Sequence, residues 1–501
     1  MKIQQFLDHH GIIKNPFAEE DAQTDPVFKE HCIESTYHPT WDKVYGDPRE
    51  PASAIVFGEK GSGKTAMRLQ LARHLEQFNK DHAGKRLLVI HYDDFNPFLD
   101  RFRDRLSSRN RTGDKVLGQW KLWDHMDAIL SLGVTGLVDR ILDVRQPSTS
   151  VICDIDQSKV GQLDRHQARD LLLLAACYDQ STSETFKGRW HRLRQRLKFG
   201  TLKAQWQLAL GWAWMLLWLT IIVTFFAKGM GDWLWPLWLY LGLSLVGWIP
   251  WLRHLWKNYW LSRGILAQMR VGNREAGPLR QVLMQFTPPE LSSQPLPNRD
   301  NTDGRYELLM KFQALLQSLG YPGIIVLVDR VDEPHLVNGS AELMKALVWP
   351  MLDNKFLKHP GMGLKLMLPM ELTRFVEREE RDFYQRARLD KQNMIPTFEW
   401  TGEALFDVAS ARIKACAGEG AKPNLRMLFE PALSDGRMIE AFRSLRVPRR
   451  LFKFLFMLLT KHCNAYRDEE PSWQISSGMF ESVLALSQRD QDAFDRGVGA
   501  G

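Results

Sequence analysis

The chain has 501 residues, of which 44% are apolar, 25% charged and 11% aromatic, and it carries a formal net charge of +7. That length holds two to four units at roughly 100–200 residues per domain, and the balance excludes a wholly disordered, collagen-like or coiled-coil protein. The five cysteines (Cys32, Cys153, Cys177, Cys416, Cys463) are odd in number and far apart, so no disulfide scaffold is expected and a reducing compartment fits. With no Cys-x-x-Cys pair and no His-Glu-x-x-His, no zinc framework is expected either.

Residues 1–50 read as a polar, turn-rich arm with NPF at 15–17. SAIVF (53–57) is a short buried strand, and a helix pattern runs from Lys64 to about Phe78. RLLVIHY (86–92) predicts a second buried strand, and DDFNPFLDRFRDRL (93–106) leads into a helix. Apolar spacing of three and four predicts helix over 115–145, and another helix opens at Asp164 and runs to about 180. TPPELSSQPLPNRDNTDG (287–304) is a linker by composition. A helix over 305–319 then feeds the apolar strand GIIVLVD (323–329), and GLKLMLPME (363–371) is one more strand candidate. From about 401 only helices are expected, and 490–501 reads as a loose tail. Short apolar strands alternating with helices predict an α/β fold on a parallel sheet.

The membrane signal lies between 204 and 252. Residues 204–227 (AQWQLALGWAWMLLWLTIIVTFFA) and 233–252 (WLWPLWLYLGLSLVGWIPWL) carry no charge, and KGMGD (228–232) joins them. Each run is long enough to cross a hydrocarbon core of about 30 Å as a helix, so a tight transmembrane hairpin is expected. Eleven of the 18 tryptophans fall between Trp206 and Trp260, several near the ends of the spans, as an interfacial belt requires. The flank 187–203 has a charge of +7 and the flank 253–280 a charge of +5, which leaves the rest of the chain at −5. Basic flanks place both outer ends on the cytoplasmic side. A remainder at −5 does not favour a nucleic-acid channel. The N-terminal MKIQQFLDHHG lacks the apolar core of a signal peptide.

GEKGSGKT (58–65) fits G-x-x-x-x-G-K-[ST] between a predicted strand and a predicted helix. Gly58, Gly61 and Gly63 let the backbone fold into an anion nest with Glu59, Lys60 and Ser62, and Ala66 continues into the helix whose N-terminal end favours negative charge. Lys64 is expected to reach the β- and γ-phosphates of a nucleotide and Thr65 to ligate Mg²⁺. Such a loop needs a carboxylate at the end of a neighbouring strand, and IIVLVDRVDE (324–333) supplies Asp329 for the metal. Asp332 or Glu333 would then polarise the attacking water, Glu333 being favoured for its reach. DVRQPSTSVICDID (143–156) also ends in acids but ranks below, because its apolar run is shorter. LRVPRRLFKFLFMLL (445–459) starts a helix at Pro448 and offers Arg449 or Arg450 to a γ-phosphate, whose oxygens match planar donors. Arg386 and Arg388 are weaker candidates for an arginine reaching a neighbouring subunit. No guanine-reading N-K-x-D string stands in a suitable place, so ATP is the expected nucleotide.

The combination of GEKGSGKT, the insertion at 204–252, VLVDRVDE (326–333) and VPRRLFKFL (447–455) resembles the KAP-type P-loop NTPases, relatives of the STAND class. The likeness spans roughly residues 51–465. The family's second motif reads like I-D-D-L-D-R; here Arg330 replaces the second Asp and Glu333 the Arg, nearer to the I-D-G-L-D-E type of STAND proteins. The resemblance implies a P-loop core in two parts (51–184 and 281–400), a membrane insertion over 185–280, a helical lid over 401–490 and a tail beyond. It implies a cytoplasmic, homo-oligomerising NTPase switch at a bacterial inner membrane, with an unknown protein partner, in some relatives linked to phage exclusion or signalling assemblies. A nucleotide-binding scaffold with little turnover and an oligomeric pore gated by ATP are the alternative expectations.

Overall fold

The computed structural model of the chain describes residues 1–144, 150–182, 184–201, 204, 206–228, 237–292, 294–299, 301–378, 388 and 393–495. In chain order the elements used below are α1 (Ile3–His9), β1 (Ala54–Gly58), α2 (Lys64–Asp81), β2 (Leu87–Tyr92), α3 (Leu122–Ile141), β3 (Val151–Ile152), α4 (Arg165–Tyr178), α5 (Phe186–Arg196) and α6 (Trp206–Ala227). They continue with α7 (Leu237–Val246), α8 (Ile249–Gln268), α9 (Ala276–Leu283), α10 (Thr302–Ser318), β4 (Gly323–Val328), β5 (Met362–Pro369) and β6 (Asn393–Ile395). The last are α11 (Gly402–Ala415), α12 (Asp435–Leu445), α13 (Pro448–Ala465) and α14 (Ser477–Asp495).

The fold is α/β. Six strands form one sheet in the order β3-β2-β4-β5-β1-β6, flanked by helices. β1, β4 and β5 are buried along their whole length, which is why they read as unbroken apolar runs. β1 pairs in parallel with β5 (Ala54 opposite Lys365) and with β6 (Ala54 opposite Asn393). The sheet is mixed, however, because β3 pairs antiparallel to β2 (Val89 opposite Ile152). β3 and β6 have two and three residues, too short for periodicity to signal them.

The chain divides into two compact units, residues 1–82 with 325–501 and residues 83–324. In the first unit the N-terminal segment is no detached arm. Phe6, Leu7, Ile12 and Phe17 are buried in one apolar cluster with Leu405, Phe442, Leu451, Phe454 and Leu458 of α11, α12 and α13. Arg412 of α11 clamps that segment, pairing with Asp25 at 2.5 Å and donating to the Pro16 carbonyl at 2.6 Å. Both are buried, and the ion pair is tolerated because each charge is satisfied. The expected tail is also shorter than 490–501, since α14 continues to Asp495.

In the second unit, α4 opens at Asp164 through a capping box: Asp164 Oδ1 accepts from the Gln167 amide at 2.7 Å and Gln167 Oε1 from the Asp164 amide at 3.0 Å. A chain of buried ion pairs ties its helices together. Asp127 of α3 meets Arg305 of α10 and the Tyr178 hydroxyl of α4, while Arg189 of α5 bridges Asp139 and Asp179, each at 2.6 Å. α5 leads towards α6, whose outward face is apolar: Trp212, Leu216, Leu219, Val223 and Phe226 are all exposed. Among the described residues α6 alone is a helix long and apolar enough to cross a membrane, with a mean hydropathy of 2.0.

The run 233–252 is not the single helix expected. Of its described part, α7 ends at Val246, a turn follows at Gly247–Trp248, and α8 begins with Pro250 in its first turn, where the missing N–H costs nothing. α7 nevertheless lies along α6. Trp214 Nε1 donates to the Leu243 carbonyl at 2.9 Å, and Gly247 leaves room for the Trp214 ring that any side chain there would strike.

Candidate functional site

The site lies wholly in the first unit, where β1 ends. The chain turns through residues 58–63 into α2, with Gly61 at φ +85° and Gly63 at φ +96°, a left-handed region that only glycine enters without strain. Lys64 folds back and its Nζ donates to the Gly58 and Glu59 carbonyls at 2.7 and 2.9 Å. Thr65, next on α2, donates its hydroxyl to Asp329 Oδ2 at 2.9 Å, although the two lie 264 positions apart. Asp329 follows directly on β4 and is 2% exposed. It is not on the strand beside β1, as expected, because β5 lies between β1 and β4.

Arg68, one turn further along α2, donates from Nε to the same Asp329 oxygen at 3.2 Å and is buried with it. Burial pushes the Asp329 carboxyl above its usual range, and the Arg68 guanidinium and the Thr65 hydroxyl oppose that shift. Burial likewise pushes the Lys64 ammonium down, while Asp329, Asp332 and Glu371 pull it back up. Arg330, which follows Asp329, has φ +59°, a sparsely populated conformation for a side-chain-bearing residue. It pairs with Glu333 at 3.4 Å and with Asp21 of the N-terminal segment at 3.7 Å. Burial raises the Glu333 carboxyl, Arg330 lowers it, and Asp332 and Asp329 raise it again.

A cavity of about 310 Å³ opens here, a size suited to a small-molecule ligand. Of the expected residues, Lys60, Gly61, Gly63, Lys64, Thr65, Ala66, Asp329, Asp332, Glu333 and Arg449 line it. Arg449 lies across the loop: its amide donates to the Gly61 carbonyl at 3.3 Å, and a Cβ on Gly61 would come within 2.6 Å of the Arg449 Cβ. Arg450 points elsewhere, pairing with Glu59 at 3.4 Å. Arg386 lies outside the described residues; Arg388 is described only as a turn residue with φ +49°.

Several wall residues were not expected. His38 stacks on Phe398 at 3.7 Å and its Nε2 meets the Glu399 carbonyl at 2.8 Å, while Trp400 Nε1 donates to the Ser62 carbonyl at 2.7 Å. Together they brace the glycine loop from the segment after β6. Glu371 stands just beyond β5 and faces the cavity. It carried a readable signal, an acid ending an apolar strand run, as did Arg68, a charge set among Met67, Leu71 and Leu75 on one face of α2. His38 and Trp400 carried none, since their role comes from a long-range contact.

The donor set fits a polyphosphate. Ser62 Oγ is a buried polar atom without a hydrogen-bond partner beside the loop; Arg449 Nε also lacks one and has only the Glu20 carboxylate at 3.9 Å, and both can donate to phosphate oxygens. Among the described residues no group of three or more His, Cys, Asp or Glu could hold a metal by itself. One hydroxyl and one carboxylate suit Mg²⁺, which takes most of its ligands from phosphates and water. No family model, curated protein or solved structure matches the chain.

Proposed function

We propose that this protein is a membrane-anchored P-loop ATPase of the KAP type that works as a nucleotide-dependent conformational or assembly switch. The observation that carries the reading is the 2.9 Å contact between Thr65, at the end of a left-handed glycine loop, and Asp329, at the end of an apolar strand. Lys64 releases the Gly58 and Glu59 carbonyls and turns to the β- and γ-phosphates of ATP. The Thr65 hydroxyl and the Asp329 carboxylate would hold Mg²⁺. When bound, Mg²⁺ neutralises charge on the transferring phosphoryl group. Glu333, or Asp332 beside it, orients the attacking water, and Arg449 faces the γ-phosphate across Gly61.

We further propose two crossings, in the inner membrane of a bacterium and with the NTPase unit in the cytoplasm. The loop precedes the inserted segment in the chain and Asp329 follows it, yet both serve one site. An even number of crossings is therefore required. With α6 as one of them, the segment containing α7 returns as the other. Homo-oligomerisation and a protein partner follow from the family likeness, with the bilayer as a further partner and nucleic acid not favoured.

A second reading, a nucleotide-binding scaffold with little turnover, is favoured by one observation: Glu333 is engaged by Arg330 and stands largely exposed. One experiment separates the readings. The full chain in detergent is titrated with Mg–ATP and its phosphate release measured, beside Lys64→Ala. Loss of the lysine is expected to cost about 2–4 kcal/mol of phosphate binding or transition-state stabilisation. Binding without release, abolished by Lys64→Ala, selects the scaffold. Binding that survives Lys64→Ala refutes the assignment of the loop.

A further inference from the structure

α8 presents two opposed faces. His254, Asn258, Ser262 and Ile265 are buried inward. Outward, Ile249, Leu252, Trp256 and Trp260 are exposed by 56, 51, 64 and 55%, at spacings of three and four that align them in one stripe. Arg253 and Lys257 are exposed along the edge of that stripe, and no Asp or Glu occurs between Asp232 and Glu275. Arg280 of α9 reaches the same face. With Leu252, Arg253, Trp256 and Tyr259 it lines a groove of about 600 Å³.

The arginines of this segment divide in two. Arg263 lies over the Tyr259 ring at 5.1 Å, Arg270 binds Asp124, and Arg274 donates to the Ala176 carbonyl. Arg253 and Arg280 meet no carboxylate and no carbonyl among the described residues. Two guanidiniums that meet no carboxylate among the described residues, beside an exposed apolar stripe on a helix without acids, leave charge unmatched and apolar surface in water. One ligand answers both: a phosphodiester joined to acyl chains.

We propose that the groove between α8 and α9 binds the headgroup of an anionic phospholipid. Arg253 and Arg280 clamp its phosphate through planar paired donors. Leu252 and Trp256 lie against its acyl chains, with the tryptophan at headgroup depth. The site rests on the membrane reading made above, and α6 exposes an apolar face of its own. A free phosphate would leave the apolar half of the groove uncovered, so the lipid is the occupant.

The test counts bound lipid. The full chain in mild detergent is titrated with phosphatidylglycerol or phosphatidylcholine, and retained lipids are read by native mass spectrometry. Wild type is expected to retain phosphatidylglycerol in preference. Each arginine replaced by glutamine (Arg253→Gln, Arg280→Gln) should weaken that retention about fivefold and leave phosphatidylcholine unchanged. The lysine pair Arg253→Lys/Arg280→Lys should restore part of it, which separates charge from misfolding. No preference in wild type, an unaffected double glutamine variant, or displacement by inorganic phosphate at the lipid's own concentration would overturn the site. Flotation with phosphatidylcholine vesicles keeps the two claims apart. A chain that floats but shows no preference defeats the groove alone, whereas a wild-type chain that fails to float defeats the membrane reading and the groove with it.

Discussion

Thr65 and Arg68 share a single oxygen of Asp329, and the state of that carboxylate decides what the site can do. Burial favours its protonated form, whereas the Mg²⁺ binding proposed for it needs it charged; Arg68 supplies the opposing field. Asp329→Asn keeps a group that can accept from Thr65 but removes the charge. It should weaken Mg²⁺-dependent binding of an ATP analogue about 10–100-fold and leave metal-free binding nearly unchanged. Glu333→Gln should leave binding intact and slow phosphate release about 10²–10⁴-fold; should Asp332→Asn do so instead, Asp332 is the base. His38 makes a prediction about pH. Burial pushes its pKa down to about 4, well under its ordinary value, so the folded protein holds it neutral. Stability from this group is complete above the unfolded pKa and is lost as the pH falls, because the unfolded chain takes up the proton first. Between pH 7 and 5 the loss should be about 2 kcal/mol in urea unfolding, and His38→Phe should flatten that slope.

Among the elements, the contact that matters is α13 on the glycine loop. Gly61 is left-handed, and the Arg449 side chain fills the space where a Cβ would stand. Gly61→Ala should therefore cost about 1–2 kcal/mol for the backbone alone, plus the displacement of the start of α13. With Arg449→Ala the added cost should shrink, so the double-mutant cycle is expected to be less than additive; strict additivity would show that the two do not press on each other. The start of α13 was legible because Pro448 signals a first helical turn, and the buried strands were legible as apolar runs. The order of those strands was not. That β5 inserts between β1 and β4, and so carries Glu371 to the cavity, depends on the β1–β5 pairing, whose partners such as Ala54 and Lys365 stand far apart in the chain. Likewise Phe6, Leu7, Ile12 and Phe17 lie in a segment whose charges and turns mask its core residues, and their burial comes from helices at the far end of the chain.

For the whole molecule, the proposed function places a nucleotide site in the cytoplasm and a membrane anchor between the two halves of that site in sequence. The uncharged runs were plain from composition, whereas the break at Gly247–Trp248 was not, since a proline two residues later is compatible with either a kink or a new helix. The most direct measurement is impermeant thiol labelling in intact cells, and the molecule suits it because all five native cysteines are buried. Ser262 is fully buried and would not report, so the inner positions are the exposed Gly200 and Asn273. A cysteine at Gly231 should label in intact cells, while cysteines at Gly200 and Asn273 should label only after lysis. Labelling at Gly200 or Asn273 in intact cells, or protection of Gly231 until lysis, would contradict a two-crossing anchor carrying a cytoplasmic ATPase.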